Sequence, residues 1–215
     1  MMNRRGLPKA TLGATAWSVP ILVLLLLRPA GAQEASEISD PSRTAHVFRM
    51  ATLAPEGTPW DDACGEAARR IREATHGRAS LHWNFGAVMG DETSMLARMR
   101  QGKLDGGVFS MVGLTQEAPS TALLGLPFLF RNEQEARELI QRFFPEFKER
   151  FHRKKLELLG LFSLGFGRLF TVKPAASLEE LTRFRVWIWK GDPLGKKIYR
   201  ALGFRHLVPL QFTDV

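Results

Sequence analysis

Three side chains in the segment Arg185–Pro193 (RVWIWKGDP) are suited to holding a small molecule: Trp187, Trp189 and Lys190. The tryptophans are two residues apart, so on an extended chain they share one face. Two neighbouring indoles make a flat apolar wall with N–H donors, and the lysine adds a compact positive charge. The same pair can simply be core, because tryptophan is usually well buried. The run is β-branched and aromatic, and it stops at Gly191-Asp192-Pro193. That pattern predicts a buried strand followed by the opening of a helix. In open α/β sheets ligands sit just beyond the carboxyl ends of strands, which is where Trp187, Trp189 and Lys190 fall.

The rest of the chain offers little other chemistry. It contains no G-x-S-x-G elbow, no Walker loop and no G-x-G-x-x-G fingerprint. His46, His76, His82, His152 and His206 are scattered without metal-ligand spacing. Asp61-Asp62 and Asp91-Glu92 lie at helix starts, where the helix dipole explains them. The glycine pair in Asp105-Gly106-Gly107 has no basic residue after it and fails as a phosphate loop. Nothing here argues for an enzyme, a metal or a cofactor.

The elements that must position the aromatic pair come from an α/β pattern. Residues 1–32 are read as a signal peptide and not as part of the fold: Arg4, Arg5 and Lys9, then an apolar block ending in a leucine run, then Ala30-Gly31-Ala32. Cleavage after Ala32 would place the mature N-terminus at Gln33. It would remove four positive charges (Arg4, Arg5, Lys9, Arg28) and lower the net charge from +8 to +4. Basic residues then alternate with acidic ones, as in Glu146-Phe147-Lys148-Glu149-Arg150, which excludes the clustered basic face of a nucleic-acid binder. The lone Cys64 allows no intrachain disulfide and sits on an apolar helix face.

Residues 33–45 read as a flexible leader. Strands are expected at 46–53, 79–85, 104–111, 156–162, 169–172, 185–189 and 206–209. Helices are expected from Thr58 to Gly77, Asp91 to Gln101, Asn132 to Phe144 and Pro145 to about Lys155, with a short one after Ser177 and another over 193–202. Thr213 looks like a further N-cap. Strands alternating with helices mean βαβ units and mostly parallel sheets.

The segments MATLAPEGTPW (50–60), GDETSMLARMRQGKLDGGVFS (90–110), LGLPFLFRNEQEA (124–136), SLEELTRFRVWIW (177–189) and ALGFRHLVPLQFTDV (201–215) occur in an order and spacing that resemble the DctP-type solute-binding proteins of tripartite ATP-independent periplasmic (TRAP) transporters. The resemblance runs from His46 to the end of the chain and breaks off at Val215. It implies a two-lobed periplasmic-binding-protein fold, with a first α/β lobe over 46–164 and an incomplete second lobe and hinge over 165–215. The implied localisation is the periplasm. The implied partners are a small-molecule ligand and the TRAP membrane permease subunits, with no nucleic acid and no integral membrane segment after cleavage. The ligand-binding residues it suggests are Pro55, Ser110, Phe128, Phe166, Arg168, Trp187, Trp189 and Lys190.

One departure matters for the ligand. Family members that bind organic acids carry an arginine where this chain has Trp187, and a second arginine one place before Arg168. A tryptophan cannot form the bidentate fork that grips a carboxylate. The charged clamp is therefore missing or rebuilt, which favours an apolar or aromatic ligand, or a mono-acid whose charge meets Arg168 or Lys190. Two alternatives stay open: a ligand-binding partner of a sensor kinase, and a non-functional truncated remnant.

Overall fold

The computed structural model describes Ile21–Leu27 as backbone and residues 45–210 in full. Gln33 and Thr213 lie outside the described residues. The strands are β1 (Ile21–Leu27), β2 (His46–Ala51), β3 (Ala79–Asn84), β4 (Gly106–Phe109), β5 (Leu156–Ser163), β6 (Arg185–Trp189) and β7 (His206–Leu210). The helices are α1 (Pro59–Ala74), α2 (Glu92–Arg100), α3 (Met111–Glu117), α4 (Glu133–His152), α5 (Leu178–Leu181) and α6 (Pro193–Ala201), with a 3-10 turn over Pro119–Gly125. Two sheets result: five strands in the order β3-β2-β4-β1-β5, and the pair β6-β7. The pairs β2–β3, β2–β4 and β6–β7 are parallel, as the alternating pattern predicts.

Local chemistry sets most helix starts. Asp91 accepts a hydrogen bond from the Ser94 amide at 2.8 Å, and Asn132 from the Glu135 amide at 2.9 Å. The Glu135 carboxylate reaches back to the Arg131 amide. Ser177 caps α5 in the same way. Thr58 is an exception: its hydroxyl donates to the Pro55 carbonyl, and α1 starts on Pro59 without a side-chain cap.

The core lies under the five-stranded sheet. Met95, Leu96 and Met99 of α2, Phe109 of β4, Leu114 of α3, Leu124 of the 3-10 turn, Ile140 and Phe151 of α4 and Leu158 of β5 form one cluster. Gly107 shows why glycine is needed in β4: an added Cβ would meet the Ala51 carbonyl oxygen at 2.8 Å and Met95 Cε at 2.9 Å. Beside it, Arg49 forks onto Asp105 at 2.9 and 3.0 Å and ties β2 to the approach of β4.

Four expectations change. The strand expected over 104–111 is shorter, because Ser110 turns the chain and caps α3, which the sequence reading did not include. The two helices expected around Pro145 are one. Proline forfeits one hydrogen bond there, but Ile140, Phe147 and Phe151 on both sides of it are buried and hold the helix continuous. The expected strand 169–172 does not form; Phe170 is 88% exposed, and among the described residues no strand pairs with it. Finally, the signal pattern places residues 1–32 outside the fold, yet the backbone of Ile21–Leu27 is a strand in the large sheet.

Candidate functional site

Strand β6 pairs in parallel with β7, from Arg185 opposite His206 to Trp189 opposite Leu210. The Lys190 amide continues the ladder onto the Leu210 carbonyl at 2.8 Å. Alternation then divides the strand. Val186 and Ile188 are 7% and 6% exposed, while Trp187 on the opposite face keeps 39% of its surface open. The indoles of Trp187 and Trp189 meet edge to face, centroids 6.0 Å apart at 83°. Gly191, at φ +90°, makes the turn that ends the strand. Asp192 then accepts from the Gly195 amide at 2.8 Å and starts α6 with Pro193 in its first turn.

A hollow of about 900 Å³ opens against this strand, bounded by β6, the irregular segment 168–173, Asp192 and Tyr199. Its lining combines aromatic surface (Trp187, Trp189, Phe170, Tyr199) with cations (Arg168, Lys173, Arg183, Arg185) and one acid, Asp192. Asp192 is already engaged as a cap. Arg183 leans on Glu179 at 3.3 Å. Arg168 and Arg185 have no side-chain hydrogen bond or ion pair among the described residues. Burial, with the nearby Asp192 charge second, raises the Tyr199 phenol above its ordinary pKa, so it is a neutral donor at pH 7. The hollow thus offers stacking surface and two unneutralised guanidinium groups. A second hollow, of about 740 Å³, lies at the other end of the pair beside Thr182, Arg205 and His206. It borders the amino ends of β6 and β7 and lacks aromatic side chains other than His206, so the tryptophan side fits the strand-end rule better.

The eight residues expected at a site are divided. Trp187, Trp189 and Arg168 line the hollow. Lys190 is exposed just beyond it. Phe166 packs against the core of the large sheet. The Ser110 hydroxyl is engaged twice: it caps the Val112 amide at 3.1 Å and donates to Glu92 at 2.9 Å. Pro55 lies in the exposed loop before α1. Phe128 is 59% exposed on the loop after the 3-10 turn. Arg185, Phe170 and Tyr199 were not among the eight. The period-two register that joins Trp187 to Trp189 also includes Arg185, and could have found it.

The chain belongs to the bacterial extracellular solute-binding protein family 7 (DctP), which matches residues 50–212. That family is one of non-enzymatic periplasmic binding proteins that work with membrane permease subunits. A solute-binding protein of Chromohalobacter salexigens is 25% identical over 150 residues, covering 69% of this chain and 45% of the relative. An uncharacterised protein, y4mM, of Sinorhizobium fredii is 27% identical over 165 residues, covering 76% of this chain and 30% of the relative. Among solved structures, a TRAP periplasmic solute-binding protein of Chromohalobacter salexigens with bound D-glucuronate has a TM-score of 0.68 at 22% identity, covering 78% of this chain and 56% of its own. One from Xanthobacter autotrophicus with bound β-D-galacturonate has a TM-score of 0.64 at 20% identity, with the same 78% and 56% coverage. The architecture is therefore the two-lobed α/β binding fold, and the chain spans little more than half the length of these structures. Among the described residues no helix is long and apolar enough to cross a membrane.

Proposed function

We propose that this chain is a periplasmic solute-binding subunit of a TRAP transporter, exported by its N-terminal signal and handing a captured organic acid to a membrane permease. The ligand in this reading is a mono-acid with an apolar or ring-shaped body. The observation that carries it is the hollow beside β6, where Trp187 and Trp189 present aromatic surface next to Arg168 and Arg185, neither of which has a carboxylate partner among the described residues. A carboxylate placed there meets a guanidinium, and its body covers indole surface at roughly 25 cal/mol per Å² of apolar area. A small C4 dicarboxylate could pair with both guanidinium groups, but it has little apolar surface to cover the indoles and forgoes that contribution. A uronic acid is the second reading. Two relatives of the same fold hold D-glucuronate and β-D-galacturonate, each a ring bearing one carboxylate.

The test is a titration of intrinsic tryptophan fluorescence in the 215-residue chain with three ligand sets: aromatic mono-acids, hexuronates and C4 dicarboxylates. Binding of the first or second set is expected, weakened about tenfold or more by Trp187→Ala and again by Arg168→Ala. Micromolar binding of succinate or malate that Trp187→Ala leaves unchanged overturns the ligand assignment.

A further inference from the structure

Charge is divided unevenly along the chain. Residues 45–164 hold sixteen lysines and arginines against fifteen acids, whereas residues 165–210 hold nine against three. Pairing is uneven too. Half of the first sixteen are ion-paired, as Arg150 is with Glu146 at 2.6 Å. Of the nine, only Arg183 has such a partner among the described residues, Glu179 at 3.3 Å. The surplus is densest around α6, which carries Lys196, Lys197 and Arg200. At 3.6 residues per turn these three lie within an arc of about 100°. All are exposed, and none has a side-chain hydrogen bond or ion pair among the described residues. Leu194, Ile198 and Tyr199 are half-buried, and the helix packs on β6. Exposed Lys190 precedes the helix and exposed Arg205 follows it. The one acid between them, Asp192, is engaged with the Gly195 amide.

We propose that the exposed face of α6, flanked by Lys190 and Arg205, docks on an anionic phospholipid surface. The helix dipole accounts for Arg200 near the carboxyl end, but Lys196 stands in the first half of the helix. Lys196 and Arg200 are like charges one turn apart, a spacing that is mildly unfavourable by itself. A layer of headgroup phosphates relieves that repulsion, and each cation near such a layer adds to the attraction. A lipid surface fits this face better than a folded partner does. Fitted protein interfaces are poor in lysine and anchor on large apolar or aromatic groups. This face has two lysines, and no large apolar side chain from residue 188 to residue 210 is exposed. Headgroups move to meet each ammonium, so no fixed geometry is required of the lysines. With nothing apolar to insert, attachment is electrostatic and reversible by salt. It goes beyond the solute-binding reading and does not rest on it.

Amine acetylation of the complete 215-residue chain, followed residue by residue, tests this. Vesicles of phosphatidylglycerol and phosphatidylethanolamine in equal parts should slow the labelling of Lys196 and Lys197 at least about fivefold. Lys154 and Lys155, exposed just beyond α4, should label at an unchanged rate. Phosphatidylcholine vesicles should protect neither pair. Salt at about 1 M, where the Debye length is about 3 Å, should abolish the protection. Unchanged labelling of Lys196 and Lys197, or equal slowing of all four lysines, overturns the proposal. Protection by soluble polyglutamate with none by the vesicles also overturns it, and assigns the face to an acidic protein. A second measurement compares salt-releasable vesicle binding of two triple variants. Lys196→Gln with Lys197→Gln and Arg200→Gln should weaken it at least about tenfold. Arg137→Gln with Arg150→Gln and Arg153→Gln removes the same formal charge from ion-paired positions and should leave it nearly unchanged. Equal losses in the two would show that net charge alone attracts the chain, and would overturn the docking face. Because no readout involves solute, failure here is distinct from failure of the solute-binding reading.

Discussion

In the five-stranded sheet, Val108, Phe109, Leu156 and Leu158 are at most 7% exposed; on the two-stranded sheet only Val186 and Ile188 reach that burial, and Trp187 keeps 39%. The chemistry of the strands is not very different, since both sheets use aromatic and aliphatic residues. What differs is how many sides are covered. Strand β4 has a strand on each edge and packs against α2 and α3. Strand β6 has β7 on one edge and the open hollow beside it. A closed, densely packed sheet fixes atoms in place, and a half-covered one leaves aromatic surface for a ligand. In the proposed reading the large sheet is the frame, and the small one would carry the ligand contacts.

The contrast should appear most strongly in a pair of phenylalanines. Phe109 is 0% exposed, and Phe109→Ala should cost about 3–5 kcal/mol in chemical denaturation. Phe170 is 88% exposed, and Phe170→Ala should change stability by no more than about 0.5 kcal/mol. Similar costs for the two would erase the distinction between frame and contact surface.

Gly107→Ala comes next. Its Cβ would strike the Ala51 carbonyl, which is backbone and cannot rotate away. A loss of about 1–3 kcal/mol is expected, read as a lower denaturation midpoint with an unchanged slope.

Two carboxylates of the frame should then titrate with opposite sign. Glu92 is buried and accepts from the Ser110 amide, the Ser110 hydroxyl and the Gly113 amide at 2.7, 2.9 and 2.6 Å. Burial raises its pKa despite those donors. The penalty for holding it ionised is full above its folded pKa and disappears as pH falls below its unfolded value. Asp105 is the reverse: the hydrogen bond from Arg49 lowers its pKa, so its contribution is full above the unfolded value and is lost as pH falls through the folded one. In stability-against-pH curves below pH 6, Asp105→Asn should flatten the acid loss at a cost of about 1 kcal/mol or less, since Arg49 is half exposed. Glu92→Gln leaves one of the two acceptor oxygens replaced by a donor. It should cost about 1–3 kcal/mol at pH 7 and remove the opposite trend. A curve for Glu92→Gln parallel to the natural chain would show that Glu92 does not titrate in this range.

The smallest effect on stability is expected at the site. Trp187→Ala should shift the denaturation midpoint by no more than about 1 kcal/mol, while ligand affinity falls about tenfold. A large loss of stability with unchanged affinity would move Trp187 from the contact surface into the frame.

Much of this organisation is legible in local sequence. Caps at Asp91, Asn132 and Ser177 are short-range hydrogen bonds between near neighbours, and all three form, whereas Thr58 makes no such bond. The tight approach at Gly107 shows as a glycine pair inside a strand. The half-exposed face of β6 shows as period two. Other features depend on partners distant in sequence. Pro145 reads as a helix stop until Ile140, Phe147 and Phe151 find the same core. Segment 169–172 reads as a strand, yet a strand exists only where another offers its hydrogen bonds. The bond from Ser110 to Glu92, which lies 18 residues earlier, is another pairing that short windows do not show.

The sequence by itself determined the α/β class, the family and the aromatic pair at the end of β6, because each rests on periodicity, capping or motif order within short windows. Tertiary structure decided which candidates meet. It joined Trp187, Trp189 and Arg168 to the unforeseen Arg185 and Tyr199, and sent Phe166 and Ser110 into the frame. It also gave an apolar block that reads as a leader a second role as the strand between β4 and β5. Strand pairing and burial are satisfied only by groups brought together from distant parts of the chain, so no local pattern can specify them.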